Sequence, residues 1–300
     1  MRRIEHPGQV SPIRRQVVDC TIVHAEVLLQ PGLVLLDALA AQLDLFGVPS
    51  AVALLQGGSF SPFAYYMPAL SKSPEHAVYF SDRYEPEGIV RLESAGVTIG
   101  RRNNDTWLHC HGIWHDAEDN RLGGHVIPND AYIIEPVTAS MWFISGASFD
   151  VTPNPETAFS LFEPVANQFC WPEGTKAFAM VVRANEDLCT VLEDECRGRG
   201  IQAARIRGGV GSLVGASFVD GRIVEPFVTE VFIREGVVEV SAESILEARI
   251  DVSLVDNLGG LHEGRLKKGE NPVLVTFELV VEPLLTIFIE PLRCSAGVMQ

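Results

Sequence analysis

The stretch that decides the fold spans residues 106–126 and reads TWLHCHGIWHDAEDNRLGGHV. Apolar residues recur on both sides of the polar run Asp116–Asn120, which predicts two antiparallel strands joined by a turn. Successive side chains of a strand point to opposite faces, so His109 and His111 should share one face, about 7 Å apart. Cys110 should point the other way, into packing.

A third histidine can join this pair across the hairpin. Gly123 and Gly124 precede His125, and glycines permit a bulge or a close backbone approach. Three neutral imidazoles that converge on one point are typical of an open zinc site, although imidazole also suits nickel, copper or iron. The hairpin therefore predicts a divalent metal, with zinc as the first candidate, on His109, His111 and His125.

Two alternatives stay open for these histidines. In one, they lie on a half-buried sheet face and are satisfied by backbone carbonyls, without a metal. In the other, His115, which has the same strand parity as His109 and His111, supplies a fourth ligand at the edge of the turn. Structural zinc is usually closed by four protein ligands, whereas an open position takes water or a substrate.

The order of predicted elements recurs about 153 residues further along the chain. Each copy has a strand, a helix, a second strand and a glycine-rich turn, then a strand, a polar turn and two more strands. The elements that open the first copy are Val17–Val27, a helix from Pro31 to Gly47, Val48–Leu55 and Gly57–Phe60. Those that open the second are Phe178–Val182, a helix starting at Asn185–Asp187, Ile201–Ile206 and Gly208–Ser212. The copies end in the apolar strands Tyr132–Ile144 and Val273–Ile289.

The repeat predicts two tandem α+β domains, residues 1–152 and 153–300, each a mostly antiparallel β-sheet flanked by helices. The proline-rich segment Phe149–Glu173 is expected to link them. Ser59–Gly88 is a longer, proline-broken loop found only in the first copy. Loops of that length are often functional or act as lids.

The hairpins of the two copies align without a gap, Asp116 on Asp256 and Gly124 on Gly264. The second copy differs at all three histidine positions, where it has Arg249, Asp251 and Arg265. Two guanidinium groups would repel a bound cation. The metal site is therefore predicted in the first copy alone.

Composition restricts the classes of partner. The net charge is −16, which argues against nucleic acid and anionic membranes, because both are bound through Lys and Arg. The sequence has neither a signal-peptide pattern nor an apolar run of about 18 residues, so we expect a cytoplasmic protein. Its six cysteines form no Cys-x-x-Cys pair and are expected to be reduced thiols, with Cys189 and Cys196 on the buried face of a helix.

Several of these motifs resemble the plant-and-prokaryote conserved (PPC) domain family, often labelled as having a PD1-like DNA-binding motif. In the first copy, Leu108–Gly112 and Gly123–Val126 are similar to the family's L-H-x-H and G-G-H-L segments. In the second, Val182–Leu188 looks like R-L-x-x-G-E-D-L, and Gly208–Leu213 looks like S-G-I-G-A-L. The resemblance covers most of both halves.

The resemblance implies a fold, an assembly and a ligand. It implies an antiparallel sheet flanked by helices, assembly as homotrimers, and a metal, usually zinc, on the three histidines. Plant members combine the domain with a separate A/T-rich minor-groove hook, and there the domain itself serves protein–protein contact. The family label therefore adds DNA binding and self-association to the roles to be tested.

This sequence departs from the family pattern in a complementary way. The first copy has Leu29 where the second has Arg183, and it lacks the Glu-Asp start of the helix. We therefore hypothesise one composite site, with the histidines from the first copy and Arg183 or Glu186 from the second. The alternative is that Arg183 forms a salt bridge and that the second copy is purely structural.

Three functions compete at this point. The first is a metal-dependent enzyme or a metal-bound binder of a small molecule. The second is an oligomeric scaffold or regulatory module with a structural metal, and the third is a DNA-binding regulator. The sequence has no phosphate-binding loop and no dinucleotide fingerprint, so it names no substrate and leaves open whether the protein is an enzyme.

Overall fold

The computed structural model of the chain describes residues 1–168, 171 and 173–284. Within them lie nineteen strands, two α-helices and a 3₁₀-helix at Pro128–Asp130. The first half contains α1 (Leu35–Phe46), β1 (Arg15–Leu29), β2 (Ser50–Gln56), β3 (Ser59–Phe60), β4 (Tyr65–Tyr66), β5 (Pro68–Leu70), β6 (Val78–Phe80), β7 (Val90–Arg102), β8 (Asp105–His115), β9 (Arg121–Val126), β10 (Ile133–Glu135) and β11 (Val137–Ser145). The rest contains α2 (Leu188–Gly198), β12 (Ala147–Pro153), β13 (Ser160–Ala166), β14 (Thr175–Arg183), β15 (Ala203–Ser217), β16 (Ile223–Val240), β17 (Leu246–Asp256), β18 (Leu261–Arg265) and β19 (Val273–Pro283).

The two helices lie where the periodicity predicts them. The buried residues of α1 follow a helical spacing, and the helix ends at Gly47, whose φ of 66° is the left-handed conformation that glycine adopts readily. Helix α2 begins after Asp187, whose side chain accepts the backbone N–H of Thr190 as an N-cap. Cys189 and Cys196 are buried on α2, as expected.

Strand pairing repeats in the two halves. The first half pairs in the order β9–β8–β7–β2–β11–β1, and the second in the order β18–β17–β16–β15–β19–β14. All these pairs are antiparallel. Strands β1 and β14 also pair with each other, with Arg15 opposite Val182 and Ile22 opposite Thr175. One sheet therefore runs through both halves.

The fold thus matches the expectation in part. It is mostly antiparallel β-sheet, but the described residues contain only one α-helix in each half, so neither part of the sheet is flanked by several helices. A separate apolar cluster packs each helix against its own part of the sheet. A third cluster combines residues of both halves, among them Ile22, Trp142 and Val280. Because this cluster and the β1–β14 pairing join the halves, the chain does not form two separately packed sheets.

The segment expected to be a linker is a β-hairpin instead. Strands β12 and β13 pair with Ala147 opposite Ala166 and Pro153 opposite Ser160. Phe149 and Phe162 are buried in the cluster shared by the halves, which explains why this segment packs rather than crossing solvent. The described residues of β13 pair with β12 alone, so β13 is an edge strand, and an edge strand tolerates proline. Cys170, Pro172, Cys294 and the end of the predicted strand Val273–Ile289 lie outside the described residues.

The predicted glycine turn at 208–212 lies within the long strand β15. Gly208 and Gly209 have positive φ values, and the register against β19 shifts between Arg207 and Val210, which marks a β-bulge. A Cβ on Gly208 would lie 2.5 Å from Cβ of Val52. Glycine is thus needed here for the close approach of the two halves and not for a chain reversal.

The long loop of the first half folds over the histidine hairpin. Its strand β4 pairs with β9, with Tyr66 opposite His125, and its strands β5 and β6 pair with each other. Phe80 of β6 packs edge-on against the His125 ring, with 5.0 Å between ring centroids. The loop therefore covers one side of the predicted site. No helix in the described part of the chain is long and apolar enough to cross a membrane.

Candidate metal centre

The three predicted histidines converge on the sheet face that meets the second half. His109 and His111 lie on β8, and His125 lies directly opposite His111 on β9. Nε2 of His111 lies 3.1 Å from Nε2 of His109 and 3.2 Å from Nδ1 of His125. Cys110 faces away into the first-half core, where burial raises the pKa of its thiol to about 12.

The spacing of the nitrogens fits a bound metal ion. The three ligand atoms all lie within 4.8 Å of one another. Zinc–nitrogen bonds of about 2.0–2.1 Å give a tetrahedral edge of roughly 3.4 Å. The two shorter separations are close to that edge, so the imidazoles can bind one ion after small shifts.

The outer nitrogens of two rings are held by the second half. Nδ1–H of His109 donates to Oε2 of Glu278 at 2.6 Å, and Nδ1–H of His111 donates to the carbonyl oxygen of Val231 at 3.1 Å. These partners assign the neutral tautomers whose Nε2 lone pairs point inward. Two lone pairs that face each other at 3.1 Å need a cation between them, which can be a metal ion or a proton.

The electrostatics of the cluster disfavour protonation at two of the three rings. Burial, together with the neighbouring His109 and His125, holds the pKa of His111 well below 6.5. Burial and His109 lower the pKa of His125 to about 3. Both rings are therefore neutral near pH 7, which is the form that binds metals.

A buried carboxyl group, Glu230 of β16, lies beside the ligand nitrogens. Its Oε1 is 3.9 Å from Nε2 of His111 and 3.9 Å from Nδ1 of His125. Its Oε2 is buried without a hydrogen-bond partner. Burial raises the pKa of Glu230 well above 4.5, an effect that the backbone N–H of His125 partly opposes. A nearby cation would favour the charged carboxylate.

The other predicted site residues lie elsewhere. His115 is four residues beyond His111 along β8, about 13 Å at strand spacing, and faces Glu93 and Asp119 near the hairpin turn. Arg183 pairs with Glu163 at 2.8 Å and borders a different hollow. Glu186 lies 3.7 Å from Arg14. The structure therefore brings neither His115, the candidate fourth ligand, nor Arg183 or Glu186, the candidates from the second copy, together with the three histidines.

The second half nevertheless contributes to the cluster, through residues that the sequence analysis missed. Glu230 and Glu278 are more than a hundred positions from the hairpin, so local spacing could not place them. A signal was present, since Glu230 and Glu278 each stand between two apolar or β-branched neighbours in a strand, and carboxylates are almost never fully buried unless they are paired. The second half thus places two buried carboxyl groups against the histidines.

The equivalent place in the second half holds ion pairs. Asp251 lies opposite Arg265, in the register of His111 and His125, and their side chains form a salt bridge at 2.9 Å. Arg249 pairs with Glu239. Among the described residues, the three-histidine set is the group of potential metal ligands that the chain brings together.

A small cavity opens beside the histidines. Its volume is about 80 Å³, and its lining is mostly apolar. The loop of the first half contributes Val78 and Phe80, and the second half contributes Val228 and Leu274. Glu230 also lines the cavity. A ligand held here would be shielded from bulk water on several sides.

Fold and site together define a mostly antiparallel β-protein with a candidate three-histidine metal centre between its halves. No known family profile matches the chain, and no curated protein sequence matches it. Solved structures match at low similarity. A PPC protein from Pyrococcus horikoshii aligns over 53% of this chain and 100% of its own, with 12% identity and a TM-score of 0.39.

Two further structures match about half of the chain. A metal-containing protein from Archaeoglobus fulgidus aligns over 48% of this chain and 94% of its own, with 13% identity and a TM-score of 0.40. A presumed DNA-binding protein from Ralstonia eutropha aligns over 48% and 95%, with 15% identity and a TM-score of 0.37. At these TM-scores the likenesses assign neither metal binding nor DNA binding to this chain.

Proposed function

We propose that this protein binds one divalent metal ion, with zinc as the first candidate, on His109, His111 and His125, and binds or transforms a small molecule on the open side of that ion. The observation that carries the proposal is the 3.1 Å contact between the inward Nε2 atoms of His109 and His111, whose outer nitrogens already donate elsewhere. That arrangement calls for a cation at the centre of the cluster.

The residues divide the work of such a site. The three histidines hold the ion, while Glu278 and the Val231 carbonyl fix the orientation of two of the rings. Glu230 can accept a hydrogen bond from a group on the open side, and the apolar walls exclude water. When bound, the ion would polarise a carbonyl or lower the pKa of a bound water.

A structural metal is the second candidate, and a specific observation favours it. Glu230 lies close enough that a modest side-chain movement would make it a fourth ligand and close the site. The cobalt-substituted protein distinguishes the two states. An open site changes its visible absorption when a small ligand is added, whereas a closed four-ligand site does not.

Metal analysis tests the proposal directly. The purified protein is expected to contain about one equivalent of metal per chain, and the His109→Ala/His125→Ala variant should contain almost none. His262→Ala, a histidine of the equivalent hairpin in the second half, is the matched control and should retain the metal. Unchanged metal content in the double variant would overturn the proposal.

The proposal also covers the tandem organisation of the chain, its self-association and its binding to DNA. We treat residues 1–152 and 153–300 as two diverged tandem copies, which the shared pairing order supports. Self-association as a homotrimer follows from the family resemblance alone, and sedimentation velocity would test it. The charge of −16 argues against DNA binding. We expect no mobility shift of duplex DNA even at low salt.

A further inference from the structure

The cavity beside the histidines limits the size of its ligand. The cavity has a volume of about 80 Å³, several times what a single water needs, so it has room for a small organic ligand. Phe159 and Leu161 from the segment between the halves complete the apolar walls. A long molecule would have to extend out of this space.

The cavity also limits where a ligand can make hydrogen bonds. Thr229 Oγ1 donates to the carbonyl oxygen of Leu213 and accepts its N–H, so this hydroxyl is occupied, whereas Ser212 Oγ accepts the backbone N–H of Val275 and keeps its O–H as a donor. Glu230 Oε2 and Thr276 Oγ1 line the same cavity, and both are buried without a hydrogen-bond partner. Glu230 is thus the strong acceptor beside the histidines.

Charge limits the ligand further. The three imidazoles are neutral ligands, and the carboxylates Glu230 and Glu278 flank them. Two carboxylates balance the charge of a divalent ion. No Lys or Arg lines the cavity within the described residues. An anionic ligand would therefore add an uncompensated charge to a site shielded from water on several sides, which is unfavourable.

We infer that the cavity takes a small neutral ligand that offers a lone pair to the metal and, beside it, an N–H or O–H to Glu230. This inference rests on the proposed metal site and adds the chemical class of what binds there. Small alcohols, amides and azoles with a short apolar body satisfy these conditions. Carboxylates and phosphates do not.

Pyrazole is a suitable probe because it is a neutral ring with a lone-pair nitrogen next to an N–H. Three comparison ligands each change one property. In 1-methylpyrazole the N–H is lost, acetate is an anion of similar size, and 3-phenylpyrazole is about twice as large. Each is titrated calorimetrically into the metal-loaded protein, and the cobalt-substituted protein reports ligation by its absorption.

We expect pyrazole to bind roughly 10-fold or more tightly than either small comparison ligand. 1-Methylpyrazole cannot donate a hydrogen bond to Glu230, and acetate adds a negative charge to the site. The Glu230→Gln variant should narrow the preference for pyrazole over acetate. Phe159→Ala, which removes a partly buried ring from the cavity wall, should admit 3-phenylpyrazole. Metal-free protein should bind none of these ligands.

The two proposals fail in distinguishable ways, because metal content is measured on the same samples. Protein without stoichiometric metal would overturn the metal site itself. Metal-loaded protein that binds acetate or 1-methylpyrazole as tightly as pyrazole would overturn the ligand class and leave the metal site standing. Failure of the metal-loaded protein to bind pyrazole would do the same.

Discussion

Glu278 lies in the middle of an apolar strand, with its side chain 1% exposed, and accepts the Nδ1–H of His109. A carboxylate in this position fixes the tautomer and orientation of a ligating imidazole and increases its basicity. Glu230 instead lies 3.9 Å from the inner nitrogens of His111 and His125 and lines the cavity. Two acids of the second half therefore have different tasks around the same histidines.

The task of Glu278 gives a first prediction. Glu278→Gln should weaken metal binding roughly 10- to 100-fold, the usual effect of losing an orienting partner. Competition with a chromophoric chelator measures the affinity. Glu282→Gln, on the same strand but paired with Arg207, is the matched control and should leave the affinity unchanged. Equal weakening in both variants would mean that the strand, and not the Glu278–His109 contact, is responsible.

The buried imidazoles give a second prediction, for the metal-free protein. His111 and His125 have pKa values below 6.5 when folded, about 3 for His125, and ordinary values when unfolded. As pH falls from 6.5 to 4.5, the unfolded state gains protons that the folded state does not, so the free energy of unfolding should fall, by up to about 1.4 kcal/mol per pH unit for each ring.

Glu230 acts in the opposite direction over the same range. Its pKa is raised in the folded state, so its contribution to stability is lost as pH rises above 4.5. Two imidazoles outweigh this single carboxyl, and stability should still fall with acid. Urea unfolding in the presence of a chelator at several pH values measures the slope. His125→Gln should flatten it, and an unchanged slope in that variant would contradict the assignment.

The β8–β9 and β17–β18 hairpins are the elements that could best be predicted from the sequence. Strand parity and two glycines sufficed to bring His109, His111 and His125 together, because that information is local. The carboxylates of β16 and β19 could not be placed, because their position depends on how two distant parts of the sheet meet. The segment between the halves was misread for a related reason, since its prolines suggested a linker while Phe149 and Phe162 pack into the shared core.

The turns of the two hairpins offer a matched pair of substitutions. The Asp116 carboxylate accepts the backbone N–H groups of Glu118 and Asn120, and Asp256 does the same for Leu258 and Gly260. Asp116→Ala and Asp256→Ala should each cost about 1–2 kcal/mol in the free energy of unfolding. Only Asp116→Ala should also weaken metal binding, because its hairpin holds the register of His111 and His125.

Denaturation and chelator competition measure these two effects separately. If both variants weaken metal binding equally, the effect is a general loss of stability. If neither does, the register of the first hairpin is set by strand pairing alone. The expected difference would show that the turn positions the ligands in addition to stabilising the fold.

The whole molecule is joined by the β1–β14 pairing and by an apolar cluster that both halves share. Neither half can expose that cluster without a large loss of buried apolar surface. We therefore predict a single cooperative unfolding transition. The tryptophans all lie within the first 171 residues. The unfolding transition that their fluorescence reports should coincide with the transition that far-UV circular dichroism reports for the whole chain. Two separated transitions would contradict this.

Glu230 and Glu278 belong to the same polypeptide as the histidines, and this determines how the site responds when the protein is diluted. A site shared between separate subunits exists only while the subunits are associated, and it is lost below their dissociation constant. A covalent connection instead keeps the partners at a high effective concentration whatever the amount of protein. Occupancy of this centre should therefore follow free metal alone, even at nanomolar amounts of the chain.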